Sequence, residues 1–444
     1  MASGGLHTGV LHTHGLHTHG LHTLGAVELL ERLARRELTA EAVVRGLLEH
    51  IDSRESAVQA WTCLDREVAL AAARDLDRGA IRGPLHGLPF GVKDVFDTCD
   101  LPTEYGSPVY AGHQPRADAG VVALARKAGG LILGKTVTTE FATFPPGKTR
   151  NPHNPEYTPG GSSSGSAAAV ADGMVPVAFG TQTVGSTIRP AAFCGTTGYK
   201  PTYALLPTVG IKPISYCLDT VGLFAKTVAD LALVTGALSG RALAVPADPA
   251  APRIGLCLTP QWPHAQAEVQ QLFAGLGNAL SHAGAQVTDF VLPALYAQLH
   301  DAQSLIWDYE VARCLTSEYE RHRDLIREPL RSQLARGFEI SPAEYDAAMS
   351  LAREGRRRFA DAMGELDVLV VPSSKGEAPK GLAATGLPTF NRTWTLLHVP
   401  CVHVPHGRGP NGLPIGFQVV GRIGDDARTL AAAHTLQKNL AAMR

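Results

Sequence analysis

The sequence has no feature that points to a membrane, a metal cluster or a polyanionic partner. No uninterrupted apolar run approaches the roughly 20 residues that a membrane-spanning helix needs. Its 40 lysines and arginines nearly cancel 41 aspartates and glutamates, so the charge balance gives no reason to expect nucleic acid or an anionic membrane surface as a partner. The seven cysteines are scattered, without a CxxC pair. This pattern argues against a cysteine-based metal cluster and indicates reduced thiols in a cytoplasmic protein.

The familiar nucleotide-binding motifs are absent as well. The segment TPGGSSSGSAAAV at 158–170 has the composition of a flexible linker, yet an apolar run at 174–180 follows it almost at once. No Lys-Ser or Lys-Thr pair follows its glycines, as in a P-loop, and no acidic residue stands about 20 residues further on, as in a dinucleotide-binding fold. Phosphate binding at the start of the following helix is therefore the weaker interpretation. The residues alone leave open whether this segment is a spacer or a working loop.

The composition and the alternation of patterns predict a large α/β protein. The 444 residues are 45% apolar and 18% charged, which supplies ample material for a globular core. Apolar spacing at 24–51 predicts two amphipathic helices, and 66–79 predicts another. Residues 88–96 have strand composition, and 118–136 reads as a helix followed by a buried strand. Such alternation predicts a large, mixed, twisted β-sheet covered by helices on both faces.

A single domain is the better interpretation of the chain's organisation. Residues 1–23 form a repetitive, His-rich tail that lacks the apolar stretch of a signal peptide. Such tracts can bind metal adventitiously, but a repeat expansion without a role is the simpler interpretation. Residues 24–444 are expected to form one domain, with a mostly helical stretch over 295–363. Within it, Ser341 and Glu344 predict a capped helix start.

Two residues outside the Gly/Ser segment have the chemistry of a catalytic site. Lys93 stands near the end of an apolar strand, although a lysine in that position is more often a surface residue. Ser186 lies on a glycine-flanked turn after the apolar run at 174–180, where backbone N–H groups can form an oxyanion hole. A serine hydroxyl needs an adjacent base, and neither a GxSxG motif nor a distinctive histidine supplies one. The residues alone therefore leave the base of a Ser186 nucleophile unassigned.

Several longer motifs resemble the amidase signature family, whose members are serine hydrolases with a Ser–cis-Ser–Lys triad. The matching segments are GPLHGLPFGVKDVFD (83–97), LGKTVTTEFA (133–142), TRNPHNPEYTPGGSSSGSAAAVADGMVPVAFGTQTVGSTIRPAAFCGTTGYKPT (149–202), LDTVG (218–222) and GLPIGFQVVG (412–421). The resemblance implies the amidase signature fold and cleavage of the C–N bond of amides. It implies a small-molecule amide or carbamate substrate, no cofactor and no metal, and leaves a homodimer open.

The resemblance also assigns roles to the catalytic candidates. It makes Ser186 the nucleophile and Lys93 the general base, with Ser162, placed at a cis peptide bond, relaying the proton between them. The N–H groups that would hold the oxyanion belong to Thr183, Val184, Gly185 and Ser186. Lys93 must then be neutral, which requires burial or a nearby cation to lower its pKa. Ser163 would support the relay or contact the substrate, or would only shape the loop.

Two departures from the family pattern bear on which branch of the amidase signature family the chain resembles. Many members have Asp and Gly-Gly where this sequence has Gln182 and Val184-Gly185. Arg189, three residues after Ser186, resembles the malonamidase type, in which the equivalent arginine binds a substrate carboxylate; the alternative is that Arg189 pairs with a buried acid or carbonyl. The A-type chain of glutamyl-tRNA amidotransferase is the runner-up within the family. It would be expected to carry the Asp and Gly-Gly pattern and a longer C-terminal region.

The substrate wall is predicted from aromatic side chains along the rest of the chain. The candidates are Phe144, Tyr216, Trp307 and Phe390, and for each of them ordinary core packing is the alternative. Together they favour a hydrophobic or aryl amide over a small acidic half-amide of the malonamate type. An apolar cleft could also accept a carbamate (urethane), because it presents the same carbonyl to Ser186.

Overall fold

The structure is a computed structural model in which residues 20–246 and 250–443 are described. Most of the predicted tail, 1–23, lies outside the described residues, and its last part, Leu21–Thr23, is a single 3-10 turn. The interpretations of the tail as dispensable and of 24–444 as one domain stay predictions.

The described residues form fourteen α-helices and eleven β-strands. The helices are α1 (Ala26–Ala34), α2 (Ala40–Val58), α3 (Arg66–Arg78), α4 (Gly120–Lys127), α5 (Ser164–Asp172), α6 (Ile188–Cys194), α7 (Val228–Ser239), α8 (Ala267–His282), α9 (Leu299–Cys314), α10 (Thr316–His322), α11 (Leu330–Glu339), α12 (Pro342–Met363), α13 (Arg392–Leu396) and α14 (Asp426–Ala442). The strands are β1 (Trp61–Cys63), β2 (Pro89–Lys93), β3 (Leu131–Thr136), β4 (Val177–Gln182), β5 (Thr197–Lys200), β6 (Thr220–Ala225), β7 (Arg253–Leu256), β8 (Gln286–Asp289), β9 (Val368–Pro372), β10 (Cys401–Arg408) and β11 (Pro414–Val420).

The strands form one mixed sheet, in the order β1-β3-β2-β4-β6-β5-β10-β11-β9-β7-β8. β2 runs parallel to β3 and β4, and β7 runs parallel to β8 and β9. The other pairs are antiparallel. Helices cover both faces: α5 and α6 pack together against the central strands, as do α7 and α14. The predicted α/β fold with a large mixed sheet is confirmed.

Most of the predicted elements occur near their expected positions. α1 and α2 correspond to the two helices expected at 24–51, and α4 with β3 corresponds to the helix and strand at 118–136. The stretch 295–363 is mostly helical and contains α9 to α12. At the start of α12, Ser341 and Glu344 exchange the hydrogen bonds of a capping box.

Two sequence-based exclusions can be compared with the described residues. None of their helices combines the length and the apolar character that crossing a bilayer requires. All seven cysteines are free thiols, and Cys194, Cys257 and Cys401 are buried.

Helix α5 follows the Gly/Ser loop directly and packs unusually close to its neighbours. Its residues from Ser164 to Val170 are all buried. A Cβ on Gly165 would lie 2.3 Å from the carbonyl oxygen of Ala60 and 2.4 Å from the backbone nitrogen of Val137. Both neighbours are backbone atoms and cannot rotate away, so this position requires glycine. The small residues of the segment therefore anchor the loop against the sheet.

We expect Gly165→Ala to destabilise the protein by about 3 kcal/mol or more, because the added methyl group must displace two backbone segments. Urea unfolding followed by circular dichroism measures this change. Gly275→Ala in α8 is the matched control, since nothing lies within 4 Å of the added Cβ there. The control should raise stability by about 0.5–1 kcal/mol. Equal unfolding midpoints for the two variants would contradict the role assigned to Gly165.

Candidate active site

Lys93 is the last residue of β2 and is fully buried. The strand ends earlier than the sequence predicts, because the N–H groups of Val95 and Phe96 both donate to the Lys93 carbonyl and turn the chain. The Lys93 Nζ donates to Ser162 Oγ at 2.7 Å and to Thr181 Oγ1 at 2.6 Å. Both partners are neutral hydroxyls, and no described carboxylate lies within ion-pair distance of this amine.

Burial sets the protonation state of Lys93. Loss of hydration lowers the pKa of Lys93 well below its usual 10.5, and the carboxylate of Asp219 only opposes this effect. Burial raises the pKa of Asp219 to about 6, against the hydrogen bonds that it accepts from the Thr183 hydroxyl and the Ile214 N–H. A buried amine whose pKa is lowered in this way has the chemistry that a general base requires.

The Gly/Ser loop brings Ser162 to this amine. The Gly161–Ser162 peptide bond is cis, as the family resemblance implies, and Ser162 is 1% exposed. The Oγ of Ser163 accepts a hydrogen bond from the Thr181 N–H at 3.2 Å and donates to the Thr181 carbonyl at 3.3 Å. Ser163 thus ties the loop to β4, which corresponds to the shaping role among its alternatives.

Ser186 lies on the turn between β4 and α6 and is 8% exposed. Two carbonyls of this turn are held by side chains from distant elements. The Thr183 carbonyl accepts from Gln303 Nε2 of α9 at 3.1 Å, and the Val184 carbonyl accepts from Thr395 Oγ1 of α13 at 3.0 Å. In a trans peptide the N–H points opposite to the C=O. These two hydrogen bonds therefore direct the N–H groups of Val184 and Gly185 to the other side of the turn.

The N–H groups of Val184, Gly185 and Ser186 have no hydrogen-bond partner within the described part of the chain. The N–H groups of Thr187 and Ile188, which follow, both donate to the Gln182 Oε1 at 3.0 Å. Gln182 thus supplies an acceptor at the position where many family members have Asp. Adjacent free donors next to a serine hydroxyl are the arrangement that an oxyanion hole requires.

Arg189, on α6, contacts the Gly/Ser loop. It is 5% exposed, and its Nη2 donates to the Gly161 carbonyl at 2.6 Å and to Thr385 Oγ1 at 3.3 Å. Burial, together with the like charge of Arg392, lowers the pKa of Arg189 to about 9. Of the two interpretations of this residue, the contacts correspond to the one in which it binds a buried carbonyl. Arg189 holds the peptide that presents Ser162.

Three of the four aromatic candidates are packed against other side chains. Trp307 is 4% exposed, and its ring packs edge-on against Phe144 with the ring centroids 5.1 Å apart. Phe390 is 3% exposed and lines a small cavity with Tyr296 and Trp394. These contacts correspond to core packing, which was the alternative for each of these aromatics.

Tyr216 is placed differently, because it is 55% exposed. It lines a cavity of about 180 Å³ that also includes Thr181 and Asp219. Thr181 is a hydrogen-bond partner of Lys93, so this cavity reaches the immediate neighbourhood of the buried amine.

Sequence reasoning did not single out several residues that shape the site. Gln303 and Thr395 act on the turn from 120 and 211 residues away, respectively, and nothing in their local sequence signals such a contact. Asp219 lies in the LDTVG segment that contributes to the family resemblance, which was the one signal that could have identified it. Thr181 has the same kind of signal, since it belongs to the longest matching segment.

Comparison with protein families identifies the chain. The family described as Amidase matches residues 42–430. The chain belongs to the amidase family. The resemblance seen in the sequence is therefore confirmed, and the protein is an amidohydrolase that acts on C–N bonds.

Individual relatives are similar to this chain over nearly its whole length. The A-type chain of the glutamyl-tRNA(Gln) amidotransferase from Chloroflexus aggregans is 32% identical, over 91% of this chain and 94% of that protein. A solved amidase structure has a TM-score of 0.85 and 29% identity, covering 94% of this chain and 99% of the other. The peptide amidase of Stenotrophomonas maltophilia has a TM-score of 0.81 and 28% identity, covering 94% and 97%.

The first of these relatives bears on the expected partners. By its name it is one subunit of an enzyme that acts on glutamyl-tRNA(Gln), as is a relative from Lachnospira eligens that is 29% identical over 89% of this chain and 94% of its own length. The expectation that the amidase has no nucleic-acid partner is at odds with these relatives, because charge balance does not report on a partner held through another subunit.

We expect kcat/KM for amide hydrolysis to rise with pH as Lys93 loses its proton, with an inflection well below 10.5, because only the neutral amine accepts a proton. Lys93→Ala should lower kcat by about 1,000-fold or more and abolish the inflection. Lys200→Met is the control, since Lys200 is equally buried but donates only to the carbonyls of Pro201 and Val399. A Lys93→Ala enzyme with unchanged turnover at pH 7 would refute the assignment.

Arg189→Met should lower kcat by about 10- to 100-fold with little change in KM, because the Gly161 carbonyl loses a charged donor and the Ser162 loop shifts. Steady-state kinetics on one amide measures both constants. If Arg189 instead bound a substrate carboxylate, the variant would raise KM for acidic amides and leave the kcat of neutral amides intact.

Proposed function

We propose that this amidase hydrolyses a small amide through an acyl-enzyme on Ser186. The observation that carries the proposal is a buried, unpaired amine at hydrogen-bond distance from a second serine: Lys93 Nζ lies 2.7 Å from Ser162 Oγ. Five residues after Thr181, the other partner of Lys93, the turn that contains Ser186 offers N–H groups without a partner among the described residues. A base, a relay and an oxyanion site are the parts that acyl transfer requires.

The chemistry proceeds in two halves. Neutral Lys93 takes a proton from Ser162, which takes the proton of Ser186 as its Oγ attacks the amide carbonyl. The N–H groups of Val184, Gly185 and Ser186 stabilise the oxyanion of the tetrahedral intermediate. The proton returns along the same path to the departing amine when the C–N bond breaks. Water, deprotonated by the same relay, then attacks the ester and releases the acid.

The packing of the aromatic candidates supports a small substrate. A hydrophobic or aryl amide, or an aryl carbamate, would need an open apolar wall. Trp307 and Phe390 are instead almost fully buried, and Phe144 packs on Trp307. The argument for a large apolar acyl group therefore loses its main support.

A second candidate is the A-type chain of a glutamyl-tRNA(Gln) amidotransferase, in which the same chemistry would release ammonia from an amide donor. The names of the curated relatives favour it. Gln182 and Val184 stand against it, because the family pattern leads us to expect Asp and Gly at these positions. The two candidates share Lys93, Ser162 and Ser186 and differ in whether the chain acts alone.

The deciding experiment incubates the purified protein by itself with primary amides, 4-nitroanilides, malonamate, aryl carbamates and glutamine. We expect turnover of small amides without any partner, and loss of about 1,000-fold or more in kcat for Ser186→Ala and Ser162→Ala. Ser164→Ala is the matched control, since its Oγ donates only to the Val137 carbonyl, and it should keep most of the activity.

Labelling supports the same test. A phosphonofluoridate should form an adduct on Ser186, identified by peptide mapping, and Ser186→Ala should remain unlabelled. Activity that is confined to glutamine and requires glutamyl-tRNA and partner proteins would favour the amidotransferase. An unlabelled wild-type protein without turnover would contradict both candidates.

A further inference from the structure

The loop that follows β3, at residues 139–146, has an unusual backbone. Phe141 and Ala142 have φ angles of 46° and 56°, in the left-handed region that residues other than glycine rarely adopt. Both side chains are buried, so contacts with the rest of the protein fix this conformation. Such strained positions persist only where the surroundings hold them, and they cluster near functional sites. Loop 139–146 therefore requires support from its neighbours.

Loop 139–146 begins beside the serine that contacts Lys93. The Thr139 N–H donates a hydrogen bond to the Ser162 carbonyl at 3.3 Å. A Cβ on Gly161, the residue before Ser162, would lie 3.2 Å from the Thr139 Cγ2, so the two segments are in close contact. A shift of the loop would therefore act directly on the backbone of Ser162.

The loop contains one buried carboxylate. Glu140 is completely buried, and its Oε1 accepts a hydrogen bond from the Ser107 Oγ at 2.8 Å. Its Oε2 accepts from the backbone N–H and the Nε of Arg327, at 3.1 and 3.2 Å. In the described part of the chain, Arg327 is the only cation within ion-pair distance of Glu140. Because a buried carboxylate without a cation is strongly unfavourable, the loop depends on this arginine.

Arg327 belongs to the mostly helical stretch at 295–363, where it lies between α10 and α11. Its Nη1 donates to the Pro146 carbonyl at 3.1 Å, and its Nη2 donates to the Pro145 carbonyl at 3.4 Å. The Pro145 carbonyl also accepts from the Glu140 N–H at 3.0 Å. All three nitrogens of the guanidinium therefore contact loop 139–146, and they connect its beginning to its end.

We propose that Arg327 is a positioning residue, which holds loop 139–146 in its left-handed conformation and thereby fixes the backbone of Ser162 next to Lys93. The proposal rests on the proposed function, because it concerns the serine that relays the proton. The hydrogen bonds of the Arg327 side chain are all made to the loop, so its effect on the reaction is indirect. Its loss should change the rate of the chemical steps and not the binding of the substrate.

The kinetic test removes the arginine with and without its carboxylate. Arg327→Met should lower kcat for amide hydrolysis by about 30-fold or more and leave KM within about 3-fold. Adding Glu140→Gln should reduce this loss to between about 3- and 10-fold, because a buried amide needs no cation. Arg327→Lys should show a loss of the same, smaller size, since it keeps the charge but not the planar fork.

Arg253→Met is the matched control. The backbone N–H and the Nε of Arg253 donate to one oxygen of Asp367, at 2.9 and 3.3 Å, in the same way that Arg327 binds Glu140. The Arg253 side chain is 41% exposed, against 44% for Arg327. Arg253 begins β7, near the far edge of the sheet, so kcat and KM should equal those of wild type.

Three kinetic outcomes would overturn the proposal. They are an unchanged kcat in Arg327→Met, a loss that appears only in KM, and a double variant that is no faster than Arg327→Met. If Arg327→Met does not fold, Arg327→Lys decides, because a wild-type kcat in that variant would also contradict a positioning role.

Hydrogen exchange separates this proposal from the proposed function, because it needs no turnover. Mass spectrometry of peptides from loop 139–146 reports how often the N–H groups of Phe141 and Thr143 are released from the carbonyls of Tyr105 and Glu140. We expect about 10-fold faster exchange in Arg327→Met, a smaller increase in Arg327→Lys and no change in Arg253→Met. A wild type that hydrolyses no amide would contradict the proposed function. Unchanged exchange in both Arg327 variants would overturn the role of Arg327 whether or not amides are hydrolysed.

Discussion

The rest of the site depends on one constraint, which is that a lysine amine is buried inside the sheet between neutral hydroxyl groups. β2 delivers Lys93 to the interior and ends there, so the side chain cannot escape to solvent. Its partners are hydroxyls from β4 and from the Gly/Ser loop, which accept and donate hydrogen bonds without adding charge. A carboxylate at ion-pair distance would restore the ammonium form. Asp219 is the acid that opposes the lowering of the Lys93 pKa, and burial raises its own pKa to about 6.

The Gly/Ser loop, which has the composition of a linker, is shaped by the same constraint. To bring Ser162 to a buried amine, the chain must enter the core with its backbone polar groups satisfied. Arg189 takes up the Gly161 carbonyl, and Ser163 exchanges hydrogen bonds with the Thr181 backbone. Gly165 then allows α5 to approach two other backbones closely. The small residues are therefore a requirement of close packing, and the segment is held by side-chain and backbone contacts on several sides.

The sequence predicts two kinds of structural feature: local helices and strands, and the motifs that the members of a family share. Alternating patterns predict the helices and strands, and the motif around Ser186 identifies the family. Gln303 and Thr395 could not be predicted, because their effect on the turn arises only after the chain has folded back over more than a hundred residues. Aromatic residues such as Phe390 were also uninformative, since composition cannot tell a ring that lines a substrate cavity from one that fills the core.

Gln303, on α9, connects Arg392 of α13 to the turn that contains Ser186. Its amide nitrogen donates to the Thr183 carbonyl, and the opposite end of that peptide is the Val184 N–H. The other atom of the same amide accepts from Arg392. The position of α13 is therefore coupled, through one buried side chain, to the orientation of the Val184 N–H. Because Gln303 belongs to α9, the helical stretch at 295–363 takes part in shaping the turn, although it is more than a hundred residues away from Ser186 along the chain.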